Sequence, residues 1–205
     1  MNEQLNEWKG LFGDEYTDRN VVEWQARFPL FRQMLGDLNL KRVLEIGCNR
    51  GHNLVAMIGL LGEGADVIGI EPNAHARALA KQSSPKMAVL AGDTYALPLR
   101  DRAFDLVMTW GVLIHVPLSA LPRALAEIYR VSRRYILAVE YYAKEETAIP
   151  YRGHDNLLWK RDFTRHYRER FPDLRLMREG FWGKEQGADR VTWWLLEKGN
   201  AGGVA

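Results

Sequence analysis

The sequence of 205 residues has little of several features that would define a function class at once. Its single cysteine, Cys48, cannot form an internal disulfide, which fits a reducing compartment. No segment approaches the roughly 20 apolar residues of a membrane-spanning helix, and the N-terminal residues lack the apolar core of a secretory signal. We therefore expect a cytoplasmic protein with no membrane partner.

An excess of charge of one sign is also missing. Lys and Arg total 28 and Asp and Glu total 26, which gives a formal net charge of +2, and the two signs are interspersed. Without a long basic tract, nucleic acid is not an expected partner. The five histidines show no paired ligand spacing, so no metal site is expected. The length suits one globular domain with a substantial core.

The most informative feature that is present is the segment RVLEIGCNRG, from Arg42 to Gly51. Its apolar residues predict a short buried strand near Glu45, and Gly47 and Gly51 permit a sharp turn close to a ligand. The dinucleotide fingerprint G-x-G-x-x-G is absent from this loop. The carboxylate of Glu45 lies at the start of the loop instead, which suits a cationic ligand better than a pyrophosphate.

Later strand-like segments also end in residues that suit ligand binding. The second ends at Glu71, followed by Pro72, and an acidic residue at this tip of a doubly wound sheet is placed to accept hydrogen bonds from ribose hydroxyls. The third ends in Gly-Asp, and the fourth leads into the loop GVLIH, at the edge where open α/β sheets bind ligands. Asp105 begins its strand, so we interpret it as a structural cap.

Strand-like and helical segments alternate, which predicts a parallel sheet built from βαβ units. Helices are expected over 53–61, 74–82, 118–131 and 161–171, and further strands over 135–142, 174–182 and 190–197. In the third helix Leu118, Leu121, Leu125 and Ile128 form the face that packs on the sheet. Residues 143–158 are expected to form a loop over the substrate site, and the tail from 199 to 205 is expected to be disordered.

The N-terminal residues 1–40 mix aromatic, charged and amide side chains without clean amphipathicity. We interpret this part as a helical lid over the ligand, with Tyr16, Arg19 and Asn20 facing inwards. The alternative is a surface segment with helix-cap chemistry.

The pattern E-x-G-x-x-x-G, formed by Glu45, Gly47 and Gly51, resembles the first motif of class I S-adenosylmethionine-dependent methyltransferases. Many of these carry a third glycine where this chain has Asn49, the residue type that best tolerates a left-handed backbone after glycine. The segments FGDEYTDRN, EIGCNRG, GVLIHV, RYILAVEYY, PYRGHDNLLWKRDF and TWWLLEK resemble, over nearly the whole chain, the methylases associated with pseudaminic acid biosynthesis.

The resemblance implies an α/β fold, a Rossmann-like doubly wound sheet of seven strands, mostly parallel with an antiparallel last strand. The methyltransferase domain would span 41–198. S-adenosylmethionine would be the cofactor, S-adenosylhomocysteine the product, and a small molecule the acceptor, with the protein a monomer or homodimer. In this family the third strand's Asp, here Asp93, reads the adenine amino group, and the backbone amide of Thr94 contacts the ring. The expected cofactor contacts are Tyr16, Arg19, Asn20, Glu45, Gly47, Cys48, Asn49, Gly51, Glu71, Pro72, Asp93, Thr94, Trp110, Gly111, Val112 and His115.

Methyl transfer to a hydroxyl or a protonated amine needs a general base near the acceptor. The candidates are His115, Glu140 and His154, although His115 suits a structural role equally well. The expected substrate contacts are Tyr16, Glu140, Tyr141, Tyr142, Tyr151, Arg152, His154 and Asp155. Carboxylate and aromatic groups together favour cations, so an amine or guanidine acceptor stands beside a sugar hydroxyl. A nicotinamide-dependent oxidoreductase and a non-catalytic binding module are the rival function classes.

Overall fold

The computed structural model describes residues 3–62, 64–84, 87–186 and 188–199. Its helices and strands alternate along most of the chain. The helices are α1 Glu3–Lys9, α2 Leu11–Arg19, α3 Arg27–Leu35, α4 His52–Leu61, α5 Ala74–Ser83, α6 Leu121–Val131 and α7 Phe163–Arg170. The strands are β1 Arg42–Ile46, β2 Asp66–Glu71, β3 Ala88–Ala91, β4 Phe104–Trp110, β5 Ser132–Glu140, β6 Thr147–Ala148, β7 Trp159–Lys160, β8 Leu174–Trp182 and β9 Val191–Lys198. None of these helices is long and apolar enough to cross a membrane.

Seven strands form one sheet in the order β3-β2-β1-β4-β5-β9-β8. The pairs among β1 to β5 are parallel, whereas β9 is antiparallel to both β5 and β8. The predicted doubly wound sheet with an antiparallel last strand is therefore confirmed. Since strand order reverses at β1 and β4, their carboxyl ends are separated by a crevice in which ligands of open α/β sheets bind.

The sheet is covered on both faces, since β1 is buried from Val43 to Ile46 and β4 from Phe104 to Thr109 without a break. Leu106 and Met108 pack on one side with α3 and α4, and Val107 packs on the other side with α6. Successive strand residues point to opposite faces, so each central strand contributes to both cores.

Helix α6 begins later than the periodicity predicts. Leu118 precedes the helix and is 49% exposed, so its predicted place in the core is wrong, whereas Leu121, Leu125 and Ile128 are buried as predicted. A helix begun at 118 would require an N–H from Pro122 and would press its ring against the carbonyl of residue 118. The proline instead lies in the first turn of α6, where no N–H is needed.

Three other predicted boundaries change. Strand β5 starts at Ser132 and ends at Glu140, and helix α7 is limited to 163–170, with the Asp162 side chain accepting from the Arg165 amide at its start. The expected loop 143–158 contains β6, which pairs with β7. Of the predicted tail, residues 200–205 lie outside the described residues.

Candidate active site

A cavity of about 450 Å³ opens at the carboxyl ends of β1, β2 and β4. This volume lies within the usual range for small-molecule sites, roughly 300–1,000 Å³. The cavity is bordered by α1 and α2 on one side and by the loop before β7 on the other. The predicted site residues that line it are Tyr16, Arg19, Asn20, Glu45, Gly47, Cys48, Asn49, Glu71, Pro72, Asp93, Thr94, Trp110, Gly111, Val112, His115, Tyr141, Tyr151 and Arg152.

The loop after β1 has the left-handed backbone that its glycines and Asn49 predict. Gly47, Asn49 and Gly51 have φ angles of 72°, 46° and 80°. A Cβ on Gly47 would lie 2.4 Å from Val112 Cγ2, so only glycine lets this loop approach the one after β4. Gly51 caps the start of α4 and is absent from the cavity lining.

Glu45 presents an unpaired carboxylate oxygen at the floor of the cavity. The side chain is 1% exposed, and Oε1 accepts from Asn53 Nδ2 at 2.7 Å, whereas the buried Oε2 has no hydrogen-bond partner among the described residues. Burial raises the pKa of Glu45 to about 8, opposed by the Asn53 hydrogen bond. A cationic ligand would satisfy both the free oxygen and the buried charge.

Arg27 presents the opposite charge to the same cavity. Its guanidinium carbon lies 4.2 Å from the Trp110 ring centroid, and its buried Nε has no hydrogen-bond partner within the described ranges. Burial lowers the pKa of Arg27, and the charge of Glu45 opposes this shift. An unpaired carboxyl oxygen and an unpaired guanidinium nitrogen in one cavity suit a ligand that carries both an ammonium and a carboxylate.

Glu71, at the end of β2, joins two loops and faces the cavity. Its Oε2 accepts from the Asn49 amide at 2.8 Å, and its Oε1 accepts from the Asn73 amide at 2.9 Å. Burial raises the pKa of Glu71, while these two amides oppose the shift. Each carboxylate oxygen keeps a further lone pair for a ligand hydroxyl.

The asparagines that bind Glu71 also hold α1 and α2 in place. Asn49 Nδ2 donates to Thr17 Oγ1 at 2.9 Å, and Asn73 Nδ2 donates to the Trp8 carbonyl at 3.1 Å and to Asp14 Oδ1 at 2.7 Å. The N-terminal helices are therefore hydrogen-bonded to the loops that form the cavity floor.

At the end of β3, Asp93 and Thr94 reach the edge of the cavity. Asp93 Oδ1 accepts from the Tyr95 amide at 2.9 Å, and Lys9 Nζ lies 3.8 Å from Asp93 Oδ2. The buried Thr94 Oγ1 has no hydrogen-bond partner among the described residues. This hydroxyl is available to a bound ligand.

His115 lines the cavity in a fixed orientation. Its Nδ1 lies 2.5 Å from the Leu157 carbonyl, which can only accept, and its ring centroid lies 4.4 Å from that of Trp8. Burial lowers the pKa of His115 to about 4, so the imidazole is neutral near pH 7. With Nδ1–H bound to the carbonyl, Nε2 carries the free lone pair.

Glu140, which the sequence predicts as a general base and a substrate contact, does not line the cavity. The side chain is fully buried, and its carboxylate accepts from the amides of Val112, Leu113 and Ile114 at 3.2 to 3.3 Å. Burial raises its pKa to about 7. Glu140 therefore fixes the turn after β4 from below, whereas its neighbour Tyr141 points into the cavity.

Three further predicted substrate contacts are also outside the cavity lining. Tyr142 is 46% exposed and lies near Trp194 in a separate groove. His154 contacts the Phe12 ring at 5.3 Å, and Asp155 is exposed. A two-residue turn follows Tyr151, and of residues 152–155 only Arg152 lines the cavity.

Asp105 has the structural role expected of it. Its Oδ2 accepts from the amides of Lys41 and Arg42 at 2.9 and 3.0 Å, and its Oδ1 contacts Arg133. This carboxylate ties β4 to the start of β1, at the end of the sheet opposite the cavity.

Sequence reasoning missed other residues that line the cavity, namely Leu5, Trp8, Val22, Arg27, Ile46, His52, Asn53, Tyr95, Ile114, Val116, Leu158, Ala188, Asp189 and Val191. Asn53 stands two residues past Gly51, where the first turn of α4 faces the loop, so its position gave a usable signal. Arg27 and Asp189 gave none, because their approach to the cavity depends on how distant segments pack.

The strand order, the antiparallel β9 and the site at the carboxyl ends define the class I S-adenosylmethionine-dependent methyltransferase fold. The model of the methyltransferase domain family matches residues 43–134, which include the loops after β1, β2 and β4. S-adenosylmethionine is the cofactor of this class.

An uncharacterized methyltransferase of Oceanobacillus iheyensis is 27% identical over 130 residues, which is 62% of this chain and 59% of that protein. The matched region is thus less than two thirds of that relative. A Pyrococcus horikoshii protein of known structure aligns with a TM-score of 0.68 and 16% identity, over 89% of this chain and 94% of that one. The Burkholderia thailandensis 1,6-didemethyltoxoflavin-N1-methyltransferase, solved with 1,6-didemethyltoxoflavin and S-adenosylhomocysteine, aligns with a TM-score of 0.68 and 15% identity, over 97% and 87%.

Proposed function

We propose that this protein transfers the methyl group of S-adenosylmethionine to a small polar metabolite. The observation that carries the proposal is the pair of unpaired, oppositely charged groups, Glu45 Oε2 and Arg27 Nε, in one cavity beside Glu71. The amino-acid end of S-adenosylmethionine carries an ammonium and a carboxylate, so it complements both groups.

The cavity residues divide by the part of the cofactor that each would hold. Glu45 would bind the ammonium and Arg27 the carboxylate, while Glu71 would accept from the ribose hydroxyls. Asp93 and Thr94 would contact the adenine, as the family resemblance implies. Tyr16, Arg19 and Asn20 would cover the site as part of a lid formed by residues 1–40.

Bound S-adenosylmethionine supplies a methyl group that is already electrophilic, so the protein mainly positions the acceptor. The loops after β1 and β4 fix the floor, and the N-terminal helices limit water. Within this cavity, His115 Nε2 is the group that we propose accepts a proton from a hydroxyl or amine acceptor. Tyr141, Tyr151 and Arg152 would contact the acceptor itself.

The proposed acceptor is a small molecule, and the resemblance to pseudaminic acid-associated methylases favours an intermediate of a sugar pathway. A cationic amine or guanidine is the alternative acceptor: Glu140, the carboxylate invoked to bind it, lies outside the cavity lining, whereas Asp189 lies on it.

Binding of S-adenosylmethionine near pH 7 is expected to release a proton from Glu45. Burial holds the pKa of the free carboxyl at about 8, and a bound ammonium lowers it. The affinity for S-adenosylmethionine should therefore rise about tenfold from pH 6 to pH 7.

In the free protein, the raised pKa means that Glu45 stabilises the fold at low pH and that this contribution is lost as pH rises from 4.5 to about 8.

Isothermal titration calorimetry at pH 7 in two buffers of different ionisation enthalpy measures this proton directly. The matched control is Glu45→Gln, which keeps the size and the Asn53 contact and should bind more weakly with no proton release. Equal enthalpies in both buffers for the wild-type protein would contradict the assignment of Glu45 to the ammonium.

A further inference from the structure

Arg152 occupies a backbone position that arginine rarely takes. The Tyr151 amide donates to the His154 carbonyl at 2.8 Å and the His154 amide donates back at 3.1 Å, which closes a two-residue turn. Both central residues are left-handed, with φ of 51° at Arg152 and 84° at Gly153. Such turns favour Asn-Gly or Gly-Gly, and arginine adds backbone strain. Arg102 and Arg190 share this left-handed backbone outside the cavity lining, so it is the position of Arg152 on the lining that points to a ligand.

Arg19 reaches the same cavity from the end of α2. Its guanidinium carbon lies 5.5 Å from the Tyr16 ring centroid and 5.8 Å from that of Phe12. The Phe12 ring centroid in turn lies 6.1 Å from that of Tyr151. The guanidinium carbon of Arg152 lies 6.0 Å from the same Tyr151 centroid. Within the described parts of the chain, neither guanidinium forms a hydrogen bond or an ion pair, so both are available to a ligand.

The hydroxyls beside these arginines are arranged as donors. Tyr16 Oη accepts from Asn20 Nδ2 at 3.0 Å, so the Tyr16 proton is left for a ligand. Burial raises the pKa of Tyr16, and it raises that of Tyr141 to about 12, so both stay protonated near pH 7. A molecule bound here meets donors and cations on several sides.

Most of the carboxylates that line the cavity are assigned to the cofactor and not to the methyl acceptor. Glu45, Glu71 and Asp93 belong to the proposed cofactor subsite, and Asp189 is the carboxylate left near the acceptor among the described residues. We propose that the methyl acceptor is a small molecule that carries a carboxylic acid, held as its anion by the guanidinium groups of Arg19 and Arg152, while a hydroxyl or amine of the same molecule takes the methyl group and gives its proton to His115. This inference rests on the proposed methyl transfer and names the substrate class of the same site.

The test compares small carboxylic acids with their own primary amides. Each compound of the set is titrated by calorimetry into the protein saturated with S-adenosylhomocysteine. We expect at least one acid to bind about tenfold or more tightly than its amide, because guanidinium–carboxylate contacts are charge-assisted. Arg152→Asn and Arg19→Gln should each weaken the binding of that acid by about tenfold and leave the binding of its amide unchanged.

Arg102→Asn is the matched control. Arg102 is also an exposed arginine with a left-handed backbone, at φ 52°, but it lies outside the cavity lining. This variant removes the same charge and should bind the acid as the wild-type protein does. Arg152→Asn should fold at least as well as the wild type, since asparagine tolerates its φ better.

The inference is overturned if no acid binds better than its amide, or if Arg152→Asn and Arg19→Gln bind the acid as tightly as Arg102→Asn. Failure of S-adenosylhomocysteine to bind in the first titration is a separate result. It would overturn the methyl-transfer proposal, and this inference with it.

Discussion

Replacing Glu71 with alanine is expected to weaken S-adenosylmethionine binding by about 100-fold or more. The carboxylate would accept from the ribose hydroxyls and already accepts from the amides of Asn49 and Asn73. Its loss would remove the ligand contacts and release both loops. Since the side chains of these asparagines hold α1 and α2, the lid would loosen as well. Calorimetric titration of the folded variant measures the effect.

Asp66→Ala is the control for this prediction. Asp66 lies at the opposite end of the same strand and is exposed, and within the described ranges its side chain makes a single long contact, of 3.8 Å to Arg42. Its replacement should leave binding unchanged. If Glu71→Ala bound S-adenosylmethionine within a few fold of the wild-type protein, the ribose assignment would be wrong.

Replacing Glu140 with alanine is expected to lower the free energy of unfolding by about 3 kcal/mol, because three backbone amides, two of them buried, lose their acceptor. The cost is structural, since the carboxylate holds the turn between β4 and His115. Chemical denaturation measured by circular dichroism checks the value. The expected order of stability is wild type, then Glu140→Gln, then Glu140→Ala.

Glu140→Gln separates this account from a catalytic role. Glutamine keeps one acceptor oxygen under the turn, so this variant should fold and bind S-adenosylmethionine much as the wild-type protein does. Once the methyl acceptor has been identified, Glu140→Gln should also retain methyl transfer to it. A Glu140→Gln variant that folds and binds the cofactor but transfers no methyl group would restore Glu140 as a general base.

Local sequence was sufficient to predict the strand ends that build the cavity floor. Glu45 and Glu71 lie at the ends of β1 and β2, Asp93 follows β3, and parallel strands bring such ends to one edge of the sheet. The left-handed turn needs Gly47, and the sequence has glycine there. These features depend on a few neighbouring residues, so a pattern in the chain reports them well.

Features that depend on packing between distant segments were not predictable. The sequence places Glu140, Tyr141 and Tyr142 together, but the end of β5 sends them to the turn, the cavity and an outer groove. Arg27 reaches Glu45 only because α3 packs against the sheet beside it. The helix start imposed by Pro122 and the position of Asn53 in the first turn of α4 were available from the sequence and overlooked.

The central claim is that this cavity binds S-adenosylmethionine, and calorimetric titration of that compound into the wild-type protein, with NAD as the control ligand, tests it most directly. We predict saturable binding at one site for S-adenosylmethionine and no binding for NAD. Protein that is folded by circular dichroism yet does not bind S-adenosylmethionine would contradict the account.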